Sequence, residues 1–173
     1  MPRLILSASR GTEMAEKLSD LFESARQPVI EWRGQIVYAL FEVPELAGSS
    51  TLRIMLEGTS PTRPQALRLN ARGGRLEING HLLDDVVLWS DNDQDVVVAV
   101  ARTWPGKSMS LQLWNAWRDT MGVMQAWIGN AGMLVEGDLE HGLVLRCSDG
   151  FGEPTFGDLV ATIVLTPASA ASS

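Results

Sequence analysis

Alternating aspartates are the first group of residues whose types and spacing could do chemistry. Asp91, Asp93 and Asp95 stand at every second position of the segment SDNDQD, and a tight loop can aim such carboxylates at one Ca²⁺ ion. The rest of an EF-hand loop is missing, because Val96 stands where glycine is needed and Arg102 where a bidentate glutamate is needed. We therefore predict either a loose calcium loop or a solvated turn rich in aspartate and asparagine.

Tryptophans form the second group, since residues 109–133 contain Trp114, Trp117 and Trp127. Apolar and polar residues alternate on both sides of the stretch 119–122, which predicts two strands joined by a turn. Trp117 then falls on an apolar face, which we predict to be the core side. Trp114 and Trp127 lie opposite each other on the second face of the hairpin.

The second face of this hairpin carries both polar and aromatic residues. Its residues are assigned from a predicted pairing of Trp117 with Met124 and of Ala116 with Gln125. The predicted ligand-binding residues on it are Gln112, Trp114, Arg118, Gln125 and Trp127. Flat indoles suit the apolar faces of sugar rings, while amide and guanidinium groups suit their hydroxyls. The first functional prediction is therefore a non-enzymatic binding module for a carbohydrate or another small molecule.

Two other roles for the tryptophan face stay open. A protein–protein interface, including a contact between two copies of this chain, would use Trp and Arg as the residues that contribute most of the binding energy. In the other case the N-terminal helix or a long loop covers both rings, and the aromatic pair then stabilises the fold without any ligand.

Acidic residues allow a third functional class, a hydrolase that uses two carboxylates as acid and base. The candidate acids are Glu136, Asp138, Glu153 and Asp158. The lone thiol, Cys147, is predicted to pack as a small apolar side chain at a strand end. The sequence contains no serine-hydrolase, nucleotide-binding or zinc-peptidase motif. We therefore expect a protein that is not an enzyme.

The charge balance narrows the classes of partner. The chain has a formal net charge of -7, which opposes nucleic-acid binding because few basic groups are left to neutralise phosphates. From Asp119 to Leu165 the sequence has seven acids and one base, Arg146, and such a region attracts a cation or a basic partner. The apolar run 4–6 is too short for a signal peptide or a membrane span. These features predict a cytoplasmic protein that does not bind membranes.

Strands must position these residues, because short apolar or alternating runs separated by Gly, Pro, Asn and Asp recur along the chain. The predicted strands are 29–32, 36–43, 51–57, 65–72, 75–79, 85–89, 95–102, 108–118, 123–130, 132–136, 142–147 and 159–165. One helix is predicted at 12–25, with Thr12 as its N-cap and an end before Pro28. One domain is expected over 1–166, followed by a flexible tail at 167–173.

The predicted fold class is mainly β, an antiparallel β-sandwich of jelly-roll type with one N-terminal helix; a closed β-barrel is the alternative. The clearest local prediction is a hairpin made of the runs 65–72 and 75–79. Apolar and polar residues alternate in both runs, and Gly73 and Gly74 between them accept the positive φ that a two-residue turn needs.

Overall fold

The computed structural model describes residues 16–60, 62–103 and 108–166. In these residues it contains one helix, α1 (Leu18–Ala25), and fourteen strands. The strands are β1 (Val29–Trp32), β2 (Gln35–Tyr38), β3 (Phe41–Leu46), β4 (Thr51–Gly58), β5 (Gln65–Arg72), β6 (Gly74–Ile78), β7 (His81–Leu83), β8 (Asp85–Trp89), β9 (Asp95–Thr103), β10 (Met109–Arg118), β11 (Met124–Gln125), β12 (Gly132–Asp138), β13 (Gly142–Ser148) and β14 (Leu159–Thr166). Most predicted strands are present within two residues of their predicted ends.

All strand pairs are antiparallel, and the strands form two sheets. The nine-stranded sheet has the order β1-β2-β12-β13-β14-β4-β9-β6-β7, and the five-stranded sheet has the order β11-β10-β5-β8. Strand β3 also pairs with β10, on the edge that β10 shares with β11. The predicted antiparallel sandwich with one helix is confirmed, and the described strands form two separate sheets rather than one closed barrel.

The main core lies between the two sheets and follows the pleat of the strands. On β10, Met109, Leu111, Leu113 and Trp117 are buried, as the alternation predicted for one face. Asn115 is the polar member of that face, and its Nδ2 donates to Ser148 O at 2.9 Å. This bond joins β10 to the end of β13 and so links the two sheets across the core.

Helix α1 covers one end of the nine-stranded sheet. Leu18 and Phe22 pack in a second apolar cluster with Val37 and Phe156, and the Ser19 N–H donates to Gly129 O at 3.0 Å. The helix ends at Ala25, before Pro28 as predicted. It begins at Leu18, because Lys17 has an extended backbone and is the N-cap, so the predicted helix 12–25 is wrong at residues 16 and 17. The predicted N-cap Thr12 and the predicted tail at 167–173 lie outside the described residues.

Two local predictions are wrong for the same physical reason. Residues 65–72 and 74–78 do not form a hairpin, because β5 belongs to the five-stranded sheet and β6 to the nine-stranded one. The predicted strand 36–43 is likewise divided between β2 and β3, which lie in different sheets. A chain that crosses between layers needs a bend similar to that of a hairpin, and Gly73, with φ +82°, supplies it.

Candidate functional site

The tryptophan hairpin forms with a register one residue away from the predicted one. Trp117 pairs with Gln125, and Arg118 pairs with Met124. Strand β11 has only two residues, whereas the sequence predicted a strand over 123–130. The one-residue change is important because it exchanges the two faces of the second strand.

The turn before β11 explains the changed register. Asp119 Oδ1 accepts hydrogen bonds from the backbone N–H groups of Met121 and Val123, both at 2.9 Å. Asp119 Oδ2 accepts a third from Gln125 Nε2 at 2.9 Å. The Gln125 amide, predicted as a ligand group, is therefore held by the turn itself. These bonds, the Val123 N–H foremost, lower the pKa of the Asp119 carboxyl.

Trp114 and Trp127 meet despite the changed register. Their rings are stacked, with centroids 4.9 Å apart and planes inclined by 28°, and Trp127 Nε1 donates to Ala39 O at 2.9 Å. Trp127 has a left-handed backbone φ of 61°, which is uncommon for a bulky residue and costs conformational energy. Trp114 is 7% exposed and Trp127 is 48% exposed, so the outer ring of the stack is the one open to solvent.

Two arginines extend this stack across the five-stranded sheet. The guanidinium carbon of Arg118 lies 3.8 Å from the centroid of the Trp89 ring, and that of Arg68 lies 5.1 Å from the Trp114 ring. We call Arg68, Trp89, Trp114, Arg118 and Trp127 the aromatic face. The sequence did not identify Trp89 and Arg68 as site residues, because only the pairing of β5 with β8 and β10 brings them there.

Gln112 is the remaining predicted ligand residue. It pairs with Asn70 on β5 and with Glu42 on β3, on the same side of β10 as Trp114. The structure thus brings Gln112 to the sheet surface that carries Trp114 and Arg118, whereas Gln125 pairs at a core-facing position of β10.

A group of exposed apolar side chains lies on β11, on the turn before it and on two neighbouring loops, at the end of the sandwich where β10 ends. It consists of Met121, Val123, Met124, Ile128 and Phe151, and we call it the loop end. Met121 is 82% exposed. Isolated exposed apolar residues are ordinary, whereas several of them on neighbouring segments are typical of an interaction surface.

The two loops of the loop end are packed backbone against backbone. A Cβ atom added to Gly129 would lie 2.4 Å from Gly150 O, and one added to Gly150 would lie 2.9 Å from Ile128 O. Asn130 Nδ2 donates to Gly152 O at 2.7 Å. These contacts hold Ile128 and Phe151 on one rigid unit.

An open apolar groove of about 350 Å³ adjoins Trp127 on the side of helix α1. Phe22, Pro28, Leu40 and Trp127 contribute its larger side chains. Trp127 therefore takes part in two surfaces, because it borders this groove and also forms the outer layer of the aromatic face.

Two of the three aspartates of the predicted calcium loop have separate partners. Asp95 forms an ion pair with Arg53 at 2.7 Å, and Asp93 Oδ2 accepts a hydrogen bond from the Trp89 N–H at 3.0 Å. Over residues 16–60, 62–103 and 108–166, no three His, Cys, Asp or Glu side chains form a group that could hold a metal ion. The arrangement of Asp91, Asp93 and Asp95 thus does not support the calcium hypothesis.

A buried carboxylate that the sequence did not identify lies beneath the loop end. Asp149 has no exposed surface, and its Oδ2 accepts hydrogen bonds from Arg63 Nε at 2.8 Å and from Gln65 Nε2 at 3.0 Å. Its Oδ1 accepts the Phe151 N–H at 3.0 Å. The guanidinium of Arg63 also lies over the Phe151 ring, 4.4 Å from its centroid. Asp149 therefore anchors one of the two exposed loops to the core.

The acids proposed for a hydrolase are engaged elsewhere. Glu136 pairs with Arg146 at 3.3 Å, Asp138 accepts the His141 N–H at 2.8 Å, and Glu153 pairs with Arg33 at 3.5 Å. Asp158 Oδ2 accepts the Asp149 N–H at 3.0 Å. Each of the four thus has a structural contact of its own.

Cys147 is fully buried, as predicted for a small apolar side chain at a strand end. Burial, with the Asp158 charge adding to it, raises the pKa of this thiol far above its ordinary value. A thiol that stays protonated is a poor nucleophile. The buried position of Cys147 therefore fits a packing role.

Asp158→Asn should stabilise the protein more at neutral pH than at acid pH. Burial raises the pKa of the Asp158 carboxyl, and the nearby Asp149 charge raises it further. An acid whose pKa is higher in the folded chain than in the unfolded chain makes folding less favourable as the pH rises through that range. Asparagine does not titrate, and its Oδ1 can still accept the Asp149 N–H.

Urea denaturation at several pH values measures this effect. The free energy of unfolding of the variant, relative to wild type, should increase as the pH rises from the ordinary aspartate pKa upward. A difference that stays constant with pH would contradict a raised pKa.

In the part of the chain that the structure describes, no helix is long and apolar enough to cross a membrane. Comparison with known proteins found no matching family model, no similar curated protein and no similar solved structure.

Proposed function

We propose that this chain is a non-enzymatic binding module that docks another protein through the loop end and the adjoining ring of Trp127. The main support is the group of exposed Met, Val, Ile and Phe side chains at this end of the sandwich, in which Ile128 and Phe151 lie on two loops that pack against each other. When a partner covers apolar area of this kind, its removal from water lowers the free energy of the complex. Trp and Arg, which dominate binding energy at interfaces, stand beside it on the aromatic face.

The backbone of Trp127 supports the same conclusion. A residue with φ near 61° is held there by its surroundings at a conformational cost. Here the left-handed backbone and the bond to Ala39 O present a half-exposed indole between the groove and the sheet.

A photoreactive residue in place of Met121 tests this proposal. Illumination in an extract of the source cells should give discrete adducts at the 121 position, because that side chain is exposed within the apolar group. Val97, which is 60% exposed on β9 of the other sheet, is the matched control position and should give none.

Unlabelled wild-type protein should compete for the partner and reduce the yield of these adducts. A Met121→Ser/Ile128→Ser variant should leave the yield unchanged. Equal labelling from positions 97 and 121 would contradict a specific docking surface. An adduct of twice the mass of the chain would mean that the partner is a second copy.

Carbohydrate binding is a second candidate, supported by the half-exposed Trp127 indole. One face of this ring lies on Trp114, and the other is available to a sugar ring. The remaining rings are less suited to stacking, because Trp114 is covered and Arg118 occupies a face of Trp89. Glycan-array binding that Trp127→Ala abolishes would favour this candidate over protein docking.

A further inference from the structure

We propose that residues 4–6 of this chain bind in the apolar groove beside Trp127, so that the segment before α1 is an intramolecular ligand of this groove. This inference goes beyond the proposed docking function and does not rest on it, because it concerns the side of Trp127 towards α1. It follows from the place where the chain enters the fold, from the walls of the groove and from charge.

The chain enters the described fold at the rim of the groove. The Leu18 N–H donates to Asn130 Oδ1 at 3.1 Å, and the Ser19 N–H donates to Gly129 O at 3.0 Å. Ser19 and Ala131 both line the groove. The residues that precede α1 are therefore attached beside the groove, on the loop that forms one of its walls.

The segment before α1 contains one apolar run that can reach the groove. Leu4, Ile5 and Leu6 are the only three consecutive apolar residues within 1–15. Residues 7–15 join this run to Glu16, the first described residue, and an extended chain of that length spans about 30 Å. A ligand on such a short tether has an effective concentration on the order of millimolar at its site, so even weak binding fills the groove.

The walls of the groove are formed before any ligand arrives. The Ala39 N–H donates to Pro28 O at 2.8 Å, and Ala39 O accepts the Trp127 Nε1–H at 2.9 Å. Phe22 and Leu40 add half-buried apolar side chains. The volume of about 350 Å³ lies at the lower end of the range for ligand sites. The groove thus suits a short aliphatic run.

Charge favours the same occupant. Among the described residues that line the groove, Glu23 is the only charged one. Residues 1–11 contain Arg3 and Arg10 and no acid, so the arginines on both sides of the apolar run complement Glu23. A sugar or peptide that reaches this side of the Trp127 ring must then displace residues 4–6.

A nitroxide label at residue 7 of the full chain tests this proposal. Ser7→Cys supplies the label site, and Cys147 stays unlabelled because it is fully buried. The NMR signal of the Trp127 indole N–H, identified by its absence in Trp127→Phe, should lose most of its intensity in the labelled protein. A label at Val97→Cys, which is exposed on the other sheet, should leave this signal unchanged.

Two further variants separate binding from the effect of the tether. Leu4→Ser/Leu6→Ser keeps the tether and removes the apolar run, so the Trp127 signal of the protein labelled at residue 7 should recover. Glu23→Lys reverses the charge of the groove and should restore part of the signal. Glu57→Lys, at an exposed position of β4, is the matched charge reversal and should restore none. Thermal unfolding checks that each variant is folded.

Three results would overturn the inference. Equal loss of signal with and without Leu4→Ser/Leu6→Ser would mean that the tether alone brings the label close, and full signal in labelled Ser7→Cys would mean that the groove is not bound. Loss of signal in a mixture of one labelled copy and one isotope-labelled copy would assign the groove to the segment of a second copy. The photo-adducts at position 121 report on the docking function separately.

Discussion

Trp114→Ala is expected to lower the free energy of unfolding by about 3–5 kcal/mol. The Trp114 side chain is 7% exposed and belongs to the main core cluster, with Trp127 stacked on it and Arg68 beside it. Alanine would remove an indole from this packing and leave a cavity. The buried Trp114 Nε1 has no hydrogen-bond partner among the described residues, which offsets part of the loss.

Urea denaturation followed by far-ultraviolet circular dichroism measures the change without depending on tryptophan emission. Met121→Ala is the matched control, because it removes an exposed apolar side chain and should unfold at the wild-type midpoint. If Trp114→Ala also unfolds at that midpoint, the ring does not contribute to the core.

Asp149→Ala should have an effect of similar size, a loss of about 3–5 kcal/mol, because it leaves buried partners without their counter-charge. The Asp149 carboxylate has no exposed surface, whereas 25% of the Arg63 side chain is exposed. Gln65 Nε2 would keep only its bond to Arg63 O, and the Phe151 N–H would lose its acceptor. The fold should therefore become less stable, and the loop that carries Phe151 should become mobile.

The Arg53–Asp95 pair provides an internal control for this prediction. It has a similar distance, 2.7 Å, with both side chains at least half exposed, and exposed ion pairs contribute little to stability. Asp95→Ala should unfold at nearly the wild-type urea midpoint. Hydrogen exchange should rise at 150–153 in Asp149→Ala only, and equal effects of the two substitutions would contradict the distinction between buried and exposed pairs.

Alternation was enough to assign the two faces of β10 from sequence. Leu111, Leu113 and Trp117 are buried as predicted, and the polar member Asn115 is satisfied inside the core. The side-chain period of a strand is two residues whatever its neighbours are, so this result did not depend on knowing which strands pair. The candidate residues Trp114 and Arg118 were found for that reason.

The register of the same hairpin could not be predicted from the sequence. The predicted pairing assumed a shorter turn, while the Asp119 carboxylate binds two backbone N–H groups and lengthens it. This moved Gln125 off the predicted face. Trp127 kept its contact with Trp114 only because its own backbone adopts a left-handed conformation, and strand patterning carries no signal for that.

By itself the sequence determined the fold class, most strand positions and the inward face of β10, because these depend on the local period of apolar residues. Only the tertiary structure decided that β5 and β6 lie in different sheets, that Trp89 and Arg68 join Trp114, and that Asp149 lies buried under Phe151. Those features depend on contacts between residues far apart in the chain. A bend at Gly73 satisfies a hairpin and a crossing equally well, so the free energy of packing the layers chooses between them.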